Sequence, residues 1–254
     1  MDFDVQNHAR SRALRSPDHL RVGAFTVRYD PAWTSRYANY AIPDDGAAPS
    51  TVELAALVEA FRGLGRVPRL EYLPACAPEL EPALLAGGFA VENRAVVMAC
   101  TAETLIVPQP RDGIRISEPA ADADIDLARA AHVQHVGYGG TGEADEAQIA
   151  WMRSTVTGGG VLALAETVDG EAVGVGVCSA PMDGLSELAG LAVDAGHRRK
   201  GIAAAVAGYL TAATLARGCR TVWLEPGDSD IQRIYERIGY SVIGEKLNIS
   251  LPEQ

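Results

Sequence analysis

The segment that constrains the fold most is residues 188–203, where an apolar stretch passes through a short basic turn into a run of small residues. The apolar part, residues 188–193, has the character of a buried strand, and the small residues after Gly201 are typical of a closely packed helix. A strand that leads through a glycine-containing turn directly into a helix predicts an α/β domain. It also places the amino end of the helix beside the end of the strand, where a ligand can bind.

The turn between this strand and helix has the chemistry of an anion-binding site. The first N–H groups of a helix have no partner within it and lie at the positive end of its dipole, so they attract phosphate. Gly201 tolerates backbone angles that other residues resist. The predicted site, called the phosphate nest below, consists of Arg198, Arg199, Lys200, Gly201, Ile202 and Ala203. For the basic run taken alone, a solvated turn is an equally good explanation.

The nest is the first of two motifs that resemble those of the GNAT acetyltransferase superfamily. Arg198-x-x-Gly201-x-Ala203 resembles the family's Q/R-x-x-G-x-G/A pyrophosphate loop. The second motif, D-x-x-I-x-x-I-Y-x-x-x-G-Y from Asp228 to Tyr240, resembles the family's N-x-x-A-x-x-L-Y-x-x-x-G-F. In this order the two motifs place the resemblance over about residues 113 to 250.

The resemblance implies a mixed α/β fold with a splayed, mainly antiparallel sheet flanked by helices. Acetyl-CoA would be the co-substrate, without a metal, and its pantetheine arm would lie between two diverging strands. The backbone of Leu191, Ala192 and Val193 would bind that arm, and the phosphate nest would hold the pyrophosphate. Asp228 and Ile231 would also contact the cofactor, although the family commonly has Asn and Ala at these places.

Two residues are candidates for moving protons. The resemblance implies that Tyr235 lies near the thioester sulfur and protonates the departing thiolate; simple packing is the alternative. Glu187 is separated from Leu191 and Val193 by even steps, which predicts that all three share one face of the strand. It matches the place where some relatives keep a general base, and an exposed carboxylate at a strand end is the alternative.

The glycine-rich loop of residues 137–142 would border the acceptor site by the same resemblance. His135 and Tyr138 are therefore candidates for contact with the substrate. His132 and His135 are three residues apart on a predicted helix, but zinc sites use three or four protein ligands and no third ligand is recognisable. No metal site is predicted.

Paired prolines at residues 107–110 predict a linker at residues 107–112, because proline disfavours helix and central strand alike. The expected organisation is a polar tail of residues 1–18 and a first domain of residues 19–106. An acetyl-CoA-binding domain of residues 113–254 follows the linker.

The first half echoes the second. Placing Gly88 on Gly239, 151 residues later, superimposes predicted helices and strands in the same order. Leu84 then stands in place of the candidate catalytic tyrosine, and Ala47 and Ser50 in place of the first arginine and the glycine of the nest. The first half thus resembles a smaller, degenerate GNAT-like domain, which either shapes the acceptor pocket or serves as a structural module.

Composition limits the partners. A net charge of -11 and a pI of about 4.9 argue against nucleic acid, whose binding needs clustered basic residues. No apolar run approaches the roughly 20 residues of a membrane span, so a cytoplasmic protein is expected. The four cysteines lie far apart and are expected to be reduced, packed thiols. The oligomeric state stays open, with a homodimer as one option.

Together these features predict an acyl-CoA-dependent N-acyltransferase that moves acetyl, or a short acyl group, to a primary amine of a small molecule or peptide. A non-catalytic acyl-CoA-binding sensor is the alternative. A nucleotide-binding protein is less favoured, since the full pattern G-x-x-x-x-G-K-[ST] is absent.

Overall fold

The computed structural model describes residues 1–31 and 33–252. Its helices are α1 (Asp2–Arg15), α2 (Thr51–Gly63), α3 (Leu80–Ala86), α4 (Asp124–Gly137), α5 (Glu146–Thr157), α6 (Ile202–Ala216) and α7 (Ser229–Arg237). Its strands are β1 (His19–Val22), β2 (Phe25–Arg28), β3 (Tyr40–Pro43), β4 (Arg69–Tyr72), β5 (Ala90–Thr101), β6 (Ile114–Ser117), β7 (Val161–Thr167), β8 (Ala172–Cys178), β9 (Leu185–Val193), β10 (Thr221–Leu224) and β11 (Ser241–Ser250).

The chain divides into two compact units, and the division does not follow the predicted linker. Unit 1 contains Met1–Val97 together with the C-terminal segment from Val242, and unit 2 contains Met98–Ser241. In unit 1, β11 pairs antiparallel with β4; in unit 2, the end of β5 pairs antiparallel with β10. Each unit therefore receives a strand from the other half of the sequence. Local composition does not reveal this exchange, because strand pairing is set by contacts distant in sequence.

Two predicted segments of the first half also differ from the structure. Residues 2–15, expected as a polar tail, form α1. That helix is held by the buried side chain of Gln6, which donates to the Pro43 carbonyl and accepts from the Leu73 N–H. The sequence of residues 21–29 has the character of one strand, but the structure has a hairpin of β1 and β2 here, which turns at Gly23 with a φ of 54°.

Unit 2 has helices on both faces of its strands. Along β7, Val161, Ala163 and Ala165 pack into the core cluster that contains residues of α6, whereas Leu162 and Leu164 pack into the cluster that contains residues of α4. This alternation is the period of two expected of a strand. The strands run in the order β5, β10, β9, β8, β7, β6, and only the β9–β10 pair is parallel.

Several sequence expectations are confirmed. The sequence predicts a series of strands and helices in the second half, from a strand at residues 114–116 to a last strand at residues 242–250. They occur in the predicted order, with ends shifted by a few residues. The cysteines, Cys76, Cys100, Cys178 and Cys219, are all buried and free. Within the described parts of the chain, none of the helices combines the length and the apolar character needed to cross a bilayer.

Gly239, just after α7, cannot carry a side chain. Its φ is 97°, and a Cβ atom there would overlap the carbonyl oxygen of Thr104. We expect Gly239→Ala to lower the free energy of unfolding by about 3 kcal/mol, as main-chain overlap adds to the left-handed penalty. Gly113→Ala is a matched control, since Gly113 has a φ of 85° and open space around it. It should cost about 1 kcal/mol, and equal losses in urea denaturation would contradict the packing argument.

Candidate functional site

The centre of the site is a wedge between β9 and β10. The two strands pair only at Leu185 with Thr221, Ser186 with Val222 and Glu187 with Trp223. β10 ends one residue later, whereas β9 continues to Val193. Pairing between the two strands therefore stops at Glu187, which agrees with the predicted splay.

A bulge interrupts β9 inside this wedge. Val175 pairs with Ala192 and Val177 with Ala189, so Gly190 and Leu191 together lie opposite the single residue Gly176. Gly190 has a φ of 65°, a conformation suited to glycine, and it marks the bulge. Sequence reasoning missed this feature, although an isolated glycine inside an apolar strand is a recognised signal of a bulge.

The bulge changes which residues share a face. Leu188, Leu191 and Val193 all pack with the core cluster around α6, while Ala192 belongs to the cluster around α4. Glu187 alternates with Leu188 and therefore lies on the opposite face from Leu191 and Val193. The prediction that Glu187 shares their face is wrong, because the bulge inserts one residue between them.

Glu187 itself lies at the point where β9 leaves β10. Its N–H donates to the Ser179 hydroxyl oxygen over 2.9 Å, and its carbonyl accepts from the Ser179 N–H. The residue is partly buried. Its backbone is thus held firmly at the closed end of the wedge, on the same face as Ala189.

The phosphate nest follows β9 and has the backbone form that the sequence predicts. Arg199 and Gly201 both have positive φ angles, 62° and 80°. Gly201 is the N-cap of α6, and no side chain caps this helix end. A Cβ atom on Gly201 would meet nothing within 4 Å, and the Lys200 side chain is exposed. The first amides of α6 thus lie in an open, positively charged turn that fits a diphosphate.

Arg198 has a different role from its neighbours in this structure. Its Nε donates to the Val193 carbonyl over 3.2 Å, and its Nη2 to the Gly137 carbonyl over 3.4 Å. The side chain ties the end of β9 to the end of α4. Arg198 therefore shapes the turn, and Arg199 and Lys200 supply its exposed charge.

The turn also contains a small polar cluster. Asp194 accepts hydrogen bonds from the Gly196 N–H and from His197, and the bond from His197 lowers the pKa of Asp194. Together with Glu171 these two side chains place three oxygen and nitrogen atoms within 4.8 Å of one another. Their bonds within the turn account for the positions of Asp194 and His197, and exposed acidic groups of this kind are common without an ion.

The second motif forms α7 and its two ends. Asp228 is the N-cap, and its carboxylate accepts from the N–H groups of Asp230 and Ile231 over 2.9 and 2.8 Å. In this structure Asp228 therefore caps the amino end of α7. Ile231 packs against the α6 core cluster.

Tyr235 is buried, with 5% of its surface exposed, and its ring packs against Tyr240 at a centroid distance of 5.6 Å. Burial raises the pKa of Tyr235 well above its usual value, with smaller contributions from Tyr138 and Cys178. The phenol therefore stays protonated throughout the neutral range. Tyr240 differs, because its hydroxyl lies 2.7 Å from the Thr211 hydroxyl. No such bond to the Tyr235 hydroxyl occurs among residues 1–31 and 33–252.

The predicted acceptor loop lies directly after α4. The His135 ring approaches the Thr141 carbonyl at 3.2 Å and lies where a Cβ atom on Gly140 would be, so it supports the loop from beneath. Tyr138 is 67% exposed. It directly follows α4, as the C-cap residue of that helix. His135 therefore holds the loop, and Tyr138 presents its side chain to solvent.

Unit 1 has a helix in the position corresponding to α6, but its amino end is closed. Ser50 and Glu53 form a reciprocal capping box at the start of α2, which satisfies amides that would otherwise be open. Two carboxylates, Asp44 and Asp45, precede this helix and form ion pairs with Arg10 and Arg21. These residues do not suit a diphosphate, which agrees with a degenerate first half.

Comparison with known proteins agrees with this geometry. Residues 128–240 match the model of the acetyltransferase (GNAT) family. The chain therefore contains a GNAT acetyltransferase domain at these residues, and the family and fold support acyl transfer. No curated protein sequence matches the chain.

Solved structures extend the likeness to both halves. The GCN5-related N-acetyltransferase from Kribbella flavida is 22% identical, with a TM-score of 0.80 over 100% of this chain and 96% of that one. A tandem GNAT protein from the clavulanic acid biosynthesis pathway is 12% identical, with a TM-score of 0.65 over 98% of this chain and 88% of that one. The fold is thus that of GNAT proteins, including a tandem one, and the predicted fold class is confirmed.

Proposed function

We propose that this chain is an acyl-CoA-dependent N-acyltransferase that moves acetyl, or a short acyl group, directly from coenzyme A to a primary amine of a small molecule or peptide. The observation that carries the proposal is the uncapped amino end of α6, opened by Gly201 and flanked by Arg199 and Lys200. Diphosphate binds well to such a turn. The open end of the wedge beside β9 lies at the same turn.

Donor binding would follow β9. The amides of residues 200–203 would hold the diphosphate, and the backbone of Leu191 and Val193 would bind the pantetheine arm much as a neighbouring strand would. Ala192 lies between them and packs on α4, and a Cβ atom on Gly137 would lie 2.7 Å from the Ala192 Cβ. The small residues at this contact let α4 approach β9 closely. Asp228 would contribute indirectly, by fixing the start of α7.

Acyl transfer to an amine needs help with protons. A primary amine with a pKa near 10.4 is neutral in only about one molecule in 2,500 at pH 7. Forming the neutral, reactive amine therefore costs roughly 4.6 kcal/mol of free energy. Glu187, at the closed end of the wedge, is the proposed base, acting directly or through water. Tyr235 is the proposed acid for the departing thiolate, since burial keeps its phenol protonated.

The acceptor would enter past the loop after α4. Tyr138 is exposed at the end of α4, so its ring is open to contact with an incoming amine. An ammonium group is attracted to an aromatic face, and the chain's net negative charge also favours a cationic substrate. His135 would support this contact from within the loop.

A coenzyme A release assay tests the proposal. We expect release above the rate of hydrolysis with at least one class of amine, when a broad amine panel is combined with acyl donors of several lengths. Release should depend on the neutral amine and rise with pH until the amine is deprotonated. If the chain binds acyl-CoA but releases no coenzyme A with any amine, the alternative of a non-catalytic acyl-CoA sensor would be favoured instead.

A further inference from the structure

The bulge in β9 is held by one buried side chain from α4. Gln134 has 9% of its surface exposed, and its Nε2 donates to the Gly190 carbonyl over 3.0 Å. A Cβ atom on Gly190 would overlap this same Nε2 atom. The Gln134 amide therefore bonds the Gly190 carbonyl and also occupies the space that a side chain on residue 190 would need.

The hydrogen bond from Gln134 fixes the orientation of a whole peptide unit, and not only that of the Gly190 carbonyl. The Gly190 carbonyl and the Leu191 N–H belong to the same peptide unit, which is planar and trans, so the two groups point in opposite directions. When Gln134 holds the carbonyl toward α4, the Leu191 N–H must point away from α4. Leu191 packs with the α6 cluster, on the opposite face of the strands.

Burying a polar side chain costs free energy unless hydrogen bonds compensate for the lost contact with water. Gln134 is surrounded by apolar neighbours on α4, among them Ala130, Ala131 and Val133, which pack with β8 and β9. An apolar residue would fill the same volume without desolvating an amide. The amide nitrogen donates to the carbonyl of the bulge, which points to a role in setting the bulge's orientation.

We propose that Gln134 is a positioning residue, which aims the Leu191 N–H at the carbonyl oxygen of the bound acyl group. The N–H would polarise the thioester and stabilise the oxyanion that forms when the amine attacks. This inference rests on the proposed function and adds a residue outside both sequence motifs.

Isotope-edited infrared spectroscopy tests the inference without any amine. Acetyl-CoA with ¹³C at the acyl carbonyl is bound to the protein, and the carbonyl stretch is compared with that of the free thioester. We expect a lowered frequency in the wild type, and a return toward the free value in Gln134→Met, which keeps the side-chain length and lacks the donor. Turnover should fall roughly tenfold to a hundredfold, while affinity for coenzyme A itself, which has no acyl carbonyl, stays unchanged.

Two further variants separate positioning from packing. Gln134→Leu provides a second side chain without a donor, in case the methionine variant folds poorly. Leu127→Ala loosens the buried face of α4 at a distance from the bulge, and it should keep the lowered frequency. An unchanged carbonyl stretch in a folded Gln134 variant would overturn the inference and leave acyl-CoA binding intact. Failure of the wild type to bind acetyl-CoA would instead overturn the proposed function.

Discussion

Replacing Gly201 with glutamate is expected to reduce the affinity for acetyl-CoA by at least about a hundredfold, or roughly 3 kcal/mol. Gly201 caps the amino end of α6 and has open space where a side chain would begin. A glutamate there would place a carboxylate where the diphosphate is proposed to bind, and like charges at close range repel strongly. Isothermal titration calorimetry measures the effect.

The chain contains a matched control at the other end of the same helix. Gly218 has a φ of 90° and no atom within 4 Å of a built Cβ, so Gly218→Glu brings the same backbone strain and the same charge. It should leave acetyl-CoA affinity within about twofold of the wild type. If both variants lose affinity equally, α6 destabilisation explains the loss and the nest assignment fails.

The second large effect is expected at Tyr235. Tyr235→Phe should lower turnover by roughly tenfold to a hundredfold while leaving acetyl-CoA affinity unchanged, because it removes the proposed proton donor and keeps the buried ring. The phenol's raised pKa means that wild-type Tyr235 remains a donor across the neutral range. Steady-state kinetics, with affinity measured separately, tests this split.

Tyr240→Phe is the control for Tyr235→Phe. Tyr240 is also buried and packs against Tyr235, but its hydroxyl is engaged with Thr211. Its removal should cost about 1 kcal/mol of stability through the lost hydrogen bond, with turnover nearly unchanged. Wild-type turnover in Tyr235→Phe would remove Tyr235 from the proposed chemistry.

The parts of the molecule that sequence predicts well are local. The corner formed by β9, the nest and α6 is encoded by consecutive residues, and Gly201 has the left-handed backbone that the turn requires. The second motif likewise encodes a complete helix, from its cap at Asp228 to the glycine at 239. Such short-range signals need no knowledge of distant contacts.

The parts that were missed depend on contacts distant in sequence. The exchange of β5 and β11 between units is decided by pairing with β10 and β4, and the proline-containing segment offered a more conspicuous boundary. That segment packs within unit 2, where Pro108 lies against Gly208 of α6. α1 was missed because its few apolar residues are spaced among charges.

The bulge had the largest consequence for the site. One inserted residue at Gly190 moved Glu187 to the other face from Leu191, which a strict alternation along the strand could not anticipate. The role of Gln134 was also missed, because its hydrogen-bond partner, Gly190, lies 56 residues away in sequence. A glycine within a strand and a glutamine within an apolar helix face were the available signals.

The most direct test of the central claim is a crystal structure of the chain with coenzyme A. We predict one coenzyme per chain, with its diphosphate on the amides of residues 200–203 and its pantetheine arm along β9. A diphosphate bound elsewhere, or a second coenzyme at the capped end of α2, would contradict the account.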